Sequence, residues 1–234
     1  MKITLTRSSS ISNLSTSRKI AAAGLFAALA ILLTTISQAL GLNFPIIPYL
    51  QFDFGEVAIL LAFLLFGPVP AVFAAFVEFI TLLIVGENVP VGPLLKLIAI
   101  LSTIAGLWVG IAISKKVVHK PNGGTILGLG LIMALIFRAV IMTIPNYYLI
   151  VFISTLQGTV EFISSAFKLV GITLTPANGL AIILGFTALF NCLQLALAFG
   201  IAYLLLRAPQ LRHSLRLSRM AWFETVGDTA QTKN

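Results

Sequence analysis

The sequence predicts an all-α integral membrane protein, a six-transmembrane-helix bundle with a structured loop after the first helix. Of its 234 residues, 59% are hydrophobic and only 9% are charged, whereas about 25% of the residues in a soluble domain are charged. Long apolar runs recur along the chain, and a run of about 20 residues crosses the hydrocarbon of a bilayer. The basic residues cluster outside these runs.

Turn residues and charges separate the runs and predict where each helix lies. The helices are expected at residues 20–40, 57–66, 71–85, 93–113, 125–151 and 179–206. Residues 152–178 are more polar and predict a surface segment with a short amphipathic helix. A cleaved signal peptide is the alternative for the first run, but this run exceeds the usual 7–15 residues.

The positive charges predict how the chain lies in the cell membrane. The net charge is +8, and its main clusters precede the first run, occupy residues 115–120 and follow the last run. Cytoplasmic segments are enriched in lysine and arginine, so both termini are expected in the cytoplasm. The polar tails 1–17 and 207–234 would then flank a membrane domain at 18–206. No basic cluster carries interleaved aromatic residues, which argues against nucleic acid as a partner.

The second apolar run is too short to span a bilayer by itself. Its uncharged part covers residues 57–66, about 15 Å as a helix, and two prolines, two aromatic residues, Asp53 and Glu56 come just before it. Such a segment has to be shielded by neighbouring helices or line a cavity, and we expect substrate here. Asp53 and Glu56 could bind a cation, but a solvated helix start is favoured because acidic residues suit a helix N-terminus.

Three ionisable residues lie within the predicted spans, where such residues are usually functional. Glu78 and Arg138 fall at similar depths, which predicts a buried ion pair; the alternative is that one of them contacts a partner. Lys96 lies within the first turn of its span. It either extends its ammonium to the surface or faces a ligand, and the sequence leaves both readings open.

Uncharged polar and small residues supply further candidates. Asn146, Asn191 and Gln194 carry amides that both donate and accept hydrogen bonds, so they suit a heterocyclic ligand or hydrogen bonds between helices. Ala23 and Ala27 lie on a small face that allows close helix approach, within this bundle or to a partner.

Rival functions lack their usual residues. The only histidines, His119 and His213, lie in basic segments, and Cys192 is the only cysteine. No catalytic or metal-binding set is apparent, so an enzyme is not expected. No internal repeat indicates a secondary transporter, which would also work without ATPase subunits.

Four stretches carry a resemblance to a known family. P-Y-L-Q-F-D-F-G-E-V (48–57), L-F-G-P (65–68), M-T-I-P-N-Y-Y (142–148) and N-C-L-Q (191–194) resemble, in order and spacing, the S components of energy-coupling-factor (ECF) vitamin transporters. Within that family they are most similar to the riboflavin-specific branch. The resemblance covers residues 18–206.

The resemblance implies a six-helix bundle that binds a vitamin near the outer face under loop 41–53. It implies that Ala23 and Ala27 dock on a transmembrane coupling subunit driven by two cytoplasmic ATPase subunits. Riboflavin would be a transported ligand, and no cofactor is expected. Asn146 and Asn191 match flavin-binding asparagines, whereas Gln194 stands where a lysine is typical. The full expected substrate-binding set is Asn146, Asn191, Gln194, Lys96, Phe44, Tyr49 and Tyr147.

Overall fold

The computed structural model describes residues 16–47, 49–86, 88–118, 122–154, 157–169, 171–175, 178–208 and Trp222, without the side chains of residues 153–162. The predicted tails 1–17 and 207–234 lie outside the described residues except for Thr16, Ser17, Arg207, Ala208 and Trp222.

The described chain forms seven α-helices. They are α1 (Thr16–Ala39), α2 (Gly55–Phe66), α3 (Pro68–Val85), α4 (Val91–Val117), α5 (Gly123–Ser154), α6 (Gln157–Leu169) and α7 (Gly179–Arg207). Five of them, α1, α3, α4, α5 and α7, are long and apolar enough to cross a membrane. The predicted all-α membrane bundle is confirmed. The short helix predicted within residues 152–178 is α6.

Helix α2 is the exception in length, with 12 residues. Ten of these residues are buried, which fits a helix that is apolar on every side. Its far end packs beside the middle of α1, where the Phe26 and Phe66 rings lie 5.9 Å apart. It ends at Gly67, whose φ of +91° is a conformation that glycine adopts without strain. Pro68 then begins α3, a position that suits proline because its ring fixes a helical φ.

The loop between α1 and α2 is structured, as predicted. Asn43 and Gln51 form an isolated antiparallel bridge. Beside this bridge the Phe44 N–H donates to the Leu50 carbonyl at 2.6 Å, and the Phe52 N–H donates to the Leu42 carbonyl at 2.8 Å. The loop therefore folds back on itself as a hairpin and then leads into α2.

The α2 helix begins inside the bundle. A Cβ at Gly55 would lie 2.0 Å from Thr34 Oγ1 on α1 and 2.8 Å from Glu78 Oε1 on α3. Only a glycine permits this close approach. As a result, the last residues of the loop and the first residues of α2 lie among the ionisable side chains of the neighbouring helices.

Glycines also bring α4 and α5 together. A Cβ at Gly106 would lie 2.5 Å from Ala134 Cα, and one at Gly110 would lie 2.5 Å from the Leu129 carbonyl oxygen. Small residues permit such close backbone approach in membrane helices. This packing fixes the relative positions of the two helices that carry Lys96 and Arg138.

Candidate functional site

A cavity of ≈ 150 Å³ lies between the loop and helices α4, α5 and α7. It is at the end of the bundle where α1 ends and α4 begins, opposite the N-terminus of α1 and the C-terminus of α7. The loop contributes Tyr49, Gln51 and Asp53 to its wall. Pockets for drug-sized ligands measure about 300–1,000 Å³, so the loop has to move to admit a ligand of that size.

Lys96 is held in a buried polar cluster at one side of this cavity. Its ammonium forms salt bridges with Asp53 and, at 2.7 Å, with Glu78. It also donates to Thr34 Oγ1 at 2.5 Å. The side chains of Lys96 and Asp53 are 13% and 15% exposed, and that of Glu78 is 1% exposed. The Lys96 ammonium group on α4 therefore connects three other elements: the loop through Asp53, α1 through Thr34 and α3 through Glu78.

Arg138 forms a second ion pair deeper in the wall. Its Nη1 and Nη2 donate to Glu56 Oε2 at 2.6 Å and to Oε1 at 2.8 Å, and Nε donates to Asn191 Oδ1 at 3.1 Å. Arg138 is 2% and Glu56 5% exposed. Two parallel bonds to one carboxylate make this a strong, directional pair, which ties α2 to α5.

The predicted ion pair between Glu78 and Arg138 is wrong. Arg138 binds Glu56 and Glu78 binds Lys96. The reason is that α2 begins inside the bundle, which brings Glu56 to the depth of Arg138. The predicted solvated helix start for Asp53 and Glu56 is wrong for the same reason.

The structure also decides the open question about Lys96. Its side chain lines the cavity and is largely buried by its carboxylate partners. It therefore belongs to the cavity wall and does not extend to the surface.

Two of the predicted amides are occupied by protein partners. Gln194 Nε2 donates to the Asp53 carbonyl at 2.7 Å, and its Oε1 accepts from the Asp53 N–H at 3.3 Å. Asn191 donates to the Thr187 carbonyl at 2.9 Å and accepts from Arg138. Both residues line the cavity. Gln194 therefore connects the end of the loop to α7, and Asn191 orients Arg138.

Asn146 differs from the other two amides. Its Nδ2 donates to the Met142 carbonyl one turn earlier at 2.7 Å. The residue is 1% exposed and lines the cavity, and its Oδ1 has no hydrogen-bond partner in the part of the chain that the structure describes. A buried acceptor of this kind is rare in native proteins and calls for an explanation, such as a ligand or an ordered water in the cavity.

The Tyr49 hydroxyl is also buried, and it has no hydrogen-bond partner of good geometry among the described residues, although the Thr187 side chain lies near it. Tyr49 lines the cavity from the loop side. Burial raises the pKa of its phenol above the ordinary value, and nearby Thr187 only partly opposes this. The hydroxyl is therefore protonated at neutral pH and can donate a hydrogen bond.

Two predicted substrate contacts do not line the cavity. Phe44 packs behind the wall, with its ring 5.5 Å from that of Phe190, and it is Phe190 that lines the cavity. Tyr147 is 42% exposed and packs on Tyr148. The wall thus brings together five of the seven predicted residues: Asn146, Asn191, Gln194, Lys96 and Tyr49.

The alanines of α1 face inward. Ala23 is 7% and Ala27 1% exposed, and Ala27 belongs to the main hydrophobic core. Near them, Ala21, Gly24 and Ala28 are the small residues that are exposed. The small side chains at 23 and 27 therefore serve packing within the bundle.

Comparison with known proteins gives the family. The family described as ECF transporter, substrate-specific component, matches residues 18–206, most of the chain. The chain belongs to this family. It is therefore a multi-pass membrane subunit of an importer and not an enzyme. Members bind a substrate and associate with an energising module.

A solved structure supports the same fold. The structure described as "Structure and mechanism of the S component of a bacterial ECF transporter" is 23% identical, with a TM-score of 0.63. The match covers 86% of this chain and 99% of that one. No curated protein matches significantly.

Sequence reasoning missed Thr34, Asp53 and Glu56 as members of the ion clusters. The burial of the two carboxylates could have been predicted, because Asp53 and Glu56 adjoin a helix that is too short to span a bilayer. A helix that begins inside the bundle places its first turn among buried groups. Thr34 gave no comparable signal, since threonine is common in membrane helices.

Proposed function

We propose that this S component binds a compact heterocyclic vitamin in the cavity under loop 41–53, and that riboflavin is the first candidate. The observation that carries the proposal is Asn146 Oδ1, a buried acceptor in the cavity wall that finds no hydrogen-bond partner among the described residues. A buried unsatisfied polar group costs about 1–3 kcal/mol. A ligand N–H that reaches this oxygen would remove that cost.

Riboflavin suits such an acceptor because the flavin ring carries one N–H between two carbonyl groups. Tyr49 could donate to a carbonyl, and Phe190 could pack on the ring. The choice of riboflavin among vitamins rests on the resemblance of residues 142–148 and 191–194. The alternative is another vitamin or heterocycle with a similar donor edge.

The cavity and the charges support an orientation in the cell membrane. The cavity lies at the end of the bundle opposite the start of α1, the end of α7 and the end of α4, where Lys115 and Lys116 lie. With these basic segments in the cytoplasm, the cavity is near the outer face, where an importer first meets its substrate.

The partners we propose are a transmembrane coupling subunit and two cytoplasmic ATPase subunits. Helix α1 is the proposed contact because small residues let a second helix approach closely. Ala23 and Ala27 lie just behind the exposed small positions Gly24 and Ala28. Leucine at Gly24 should weaken assembly with the module without disturbing the core.

The proposal is tested by the visible spectrum of the detergent-purified protein and by riboflavin titration followed through flavin fluorescence. We expect quenching that saturates at one riboflavin per chain. A folded sample with no flavin band and no quenching would rule out riboflavin, while leaving the chain's membership of the family untouched.

A further inference from the structure

We infer that the cavity selects against anions and takes neutral or cationic heterocycles that offer an N–H or O–H donor. This inference rests on the proposed function and names the substrate class of the same site. It follows from the fact that the two cationic side chains of the cavity wall, Lys96 and Arg138, are already bound to carboxylates of the protein.

Lys96 has no donor left for an anionic ligand. An ammonium group has three N–H donors, and three partners surround this one: Asp53, Glu78 and Thr34. A ligand carboxylate or phosphate would have to displace one of them. Displacing either carboxylate would leave a buried negative charge without its counter-ion, which is strongly unfavourable.

Arg138 is similarly engaged. Its two terminal nitrogens hold both oxygens of Glu56, its Nε binds Asn191, and Thr103 Oγ1 lies 3.4 Å from Nη1. Four of the five N–H donors of this guanidinium are used by the protein, and its charge is already paired with Glu56. The two cations therefore hold the protein's own carboxylates.

The balance of charge points the same way. The two clusters contain three carboxylates, on Asp53, Glu56 and Glu78, and two cations. The two cations are therefore fully compensated, and no positive charge is left over for an anion even with one carboxylate protonated. Two buried side-chain groups of the wall lack a hydrogen-bond partner among the described residues. Asn146 Oδ1 can only accept and therefore repels an anion, whereas the uncharged Tyr49 hydroxyl can donate to a neutral carbonyl.

The test is the thermal stability of the purified full chain with pairs of ligands that differ in an anionic group. Suitable pairs are riboflavin with riboflavin 5′-phosphate, nicotinamide with nicotinate, and biotinamide with biotin. In each pair that binds, we expect the affinity of the uncharged member to be about tenfold higher, or more, than that of the anionic member. Repulsion between the anionic group and the buried carboxylates of the wall implies a difference of this size. An acid that binds as tightly as its neutral partner would overturn the inference.

The outcomes separate the two proposals. If riboflavin fails but nicotinamide or biotinamide binds better than its acid, the riboflavin proposal falls and the charge selection stands. If riboflavin and its phosphate bind equally well, the riboflavin proposal stands and the proposed selection against anions falls. A folded protein that binds no member of any pair counts against both.

Two variants of Gln194 isolate charge from hydrogen bonding. Gln194→Met and Gln194→Lys both disturb the paired bonds to Asp53, but only the lysine adds a positive charge to the wall. We expect Gln194→Lys to lower the ratio of neutral to anionic affinity by about tenfold. Gln194→Met should weaken the binding of both ligands of a pair to the same extent and leave this ratio unchanged. If Gln194→Lys fails to fold, the wild-type pairs decide alone.

Discussion

The Glu56–Arg138 pair gives the sharpest test of the buried architecture. Its two hydrogen bonds of 2.6 and 2.8 Å connect side chains that are at most 6% exposed. Removing one partner of a buried ion pair leaves an uncompensated charge and costs about 3–5 kcal/mol. Glu56→Gln and Arg138→Met should each lower the free energy of unfolding by about this amount.

The double variant should cost less than the sum of the two single variants. Groups in direct contact show coupling energies of about 0.5–3 kcal/mol, and a bidentate pair is expected near the top of this range. The free energies can be measured by titrating the purified protein in mixed micelles with sodium dodecyl sulfate and following helix content by circular dichroism.

The matched control is the same comparison of single and double variants made with Glu78 in place of Glu56. In the structure Glu78 binds Lys96 and makes no bond to Arg138, so Glu78→Gln and Arg138→Met should add within about 0.5 kcal/mol. The reasoning would be refuted if the Glu78 and Arg138 variants showed the large coupling while the Glu56 and Arg138 variants were additive.

Three further predictions concern single residues of the site. Gly55→Ala should destabilise the fold by about 1–3 kcal/mol, since its Cβ would overlap Thr34 Oγ1; an unchanged melting temperature would contradict this. Lys96→Met should cost about 3–5 kcal/mol because it leaves two buried carboxylates without a cation; a melt near pH 5, where carboxylates protonate more readily, should show a smaller loss than one at pH 8. Tyr49→Phe should leave the unfolding free energy within about 1 kcal/mol, because the hydroxyl loses only a weak contact with Thr187, but it should weaken riboflavin binding; unchanged affinity would remove the phenol from the site.

The helices and the loop were predictable because the signals behind them are local. Apolar runs and turn residues indicate where helices lie, and the bounds of α3 to α5 and α7 differ from the expected ones by a few residues. The structured loop followed from prolines and aromatics ahead of a run too short to span.

The partners of buried charges were not predictable in the same way. Estimating depth from 1.5 Å per residue assumes that every helix starts at a membrane surface. Because α2 begins inside the bundle, this assumption fails for Glu56, and the arginine pairs with it. Likewise, Gln194 appeared as a ligand contact because nothing local shows that the backbone of Asp53 reaches its amide.

The central claim is that substrate binds at Asn146. The most direct measurement compares riboflavin affinity of the wild type with that of Asn146→Ala and of Thr143→Ala, an exposed position three residues earlier on the same helix. We predict that Asn146→Ala weakens binding by about 1–3 kcal/mol, roughly 5- to 150-fold, and that Thr143→Ala binds like the wild type. Equal affinity in all three proteins would contradict the claim.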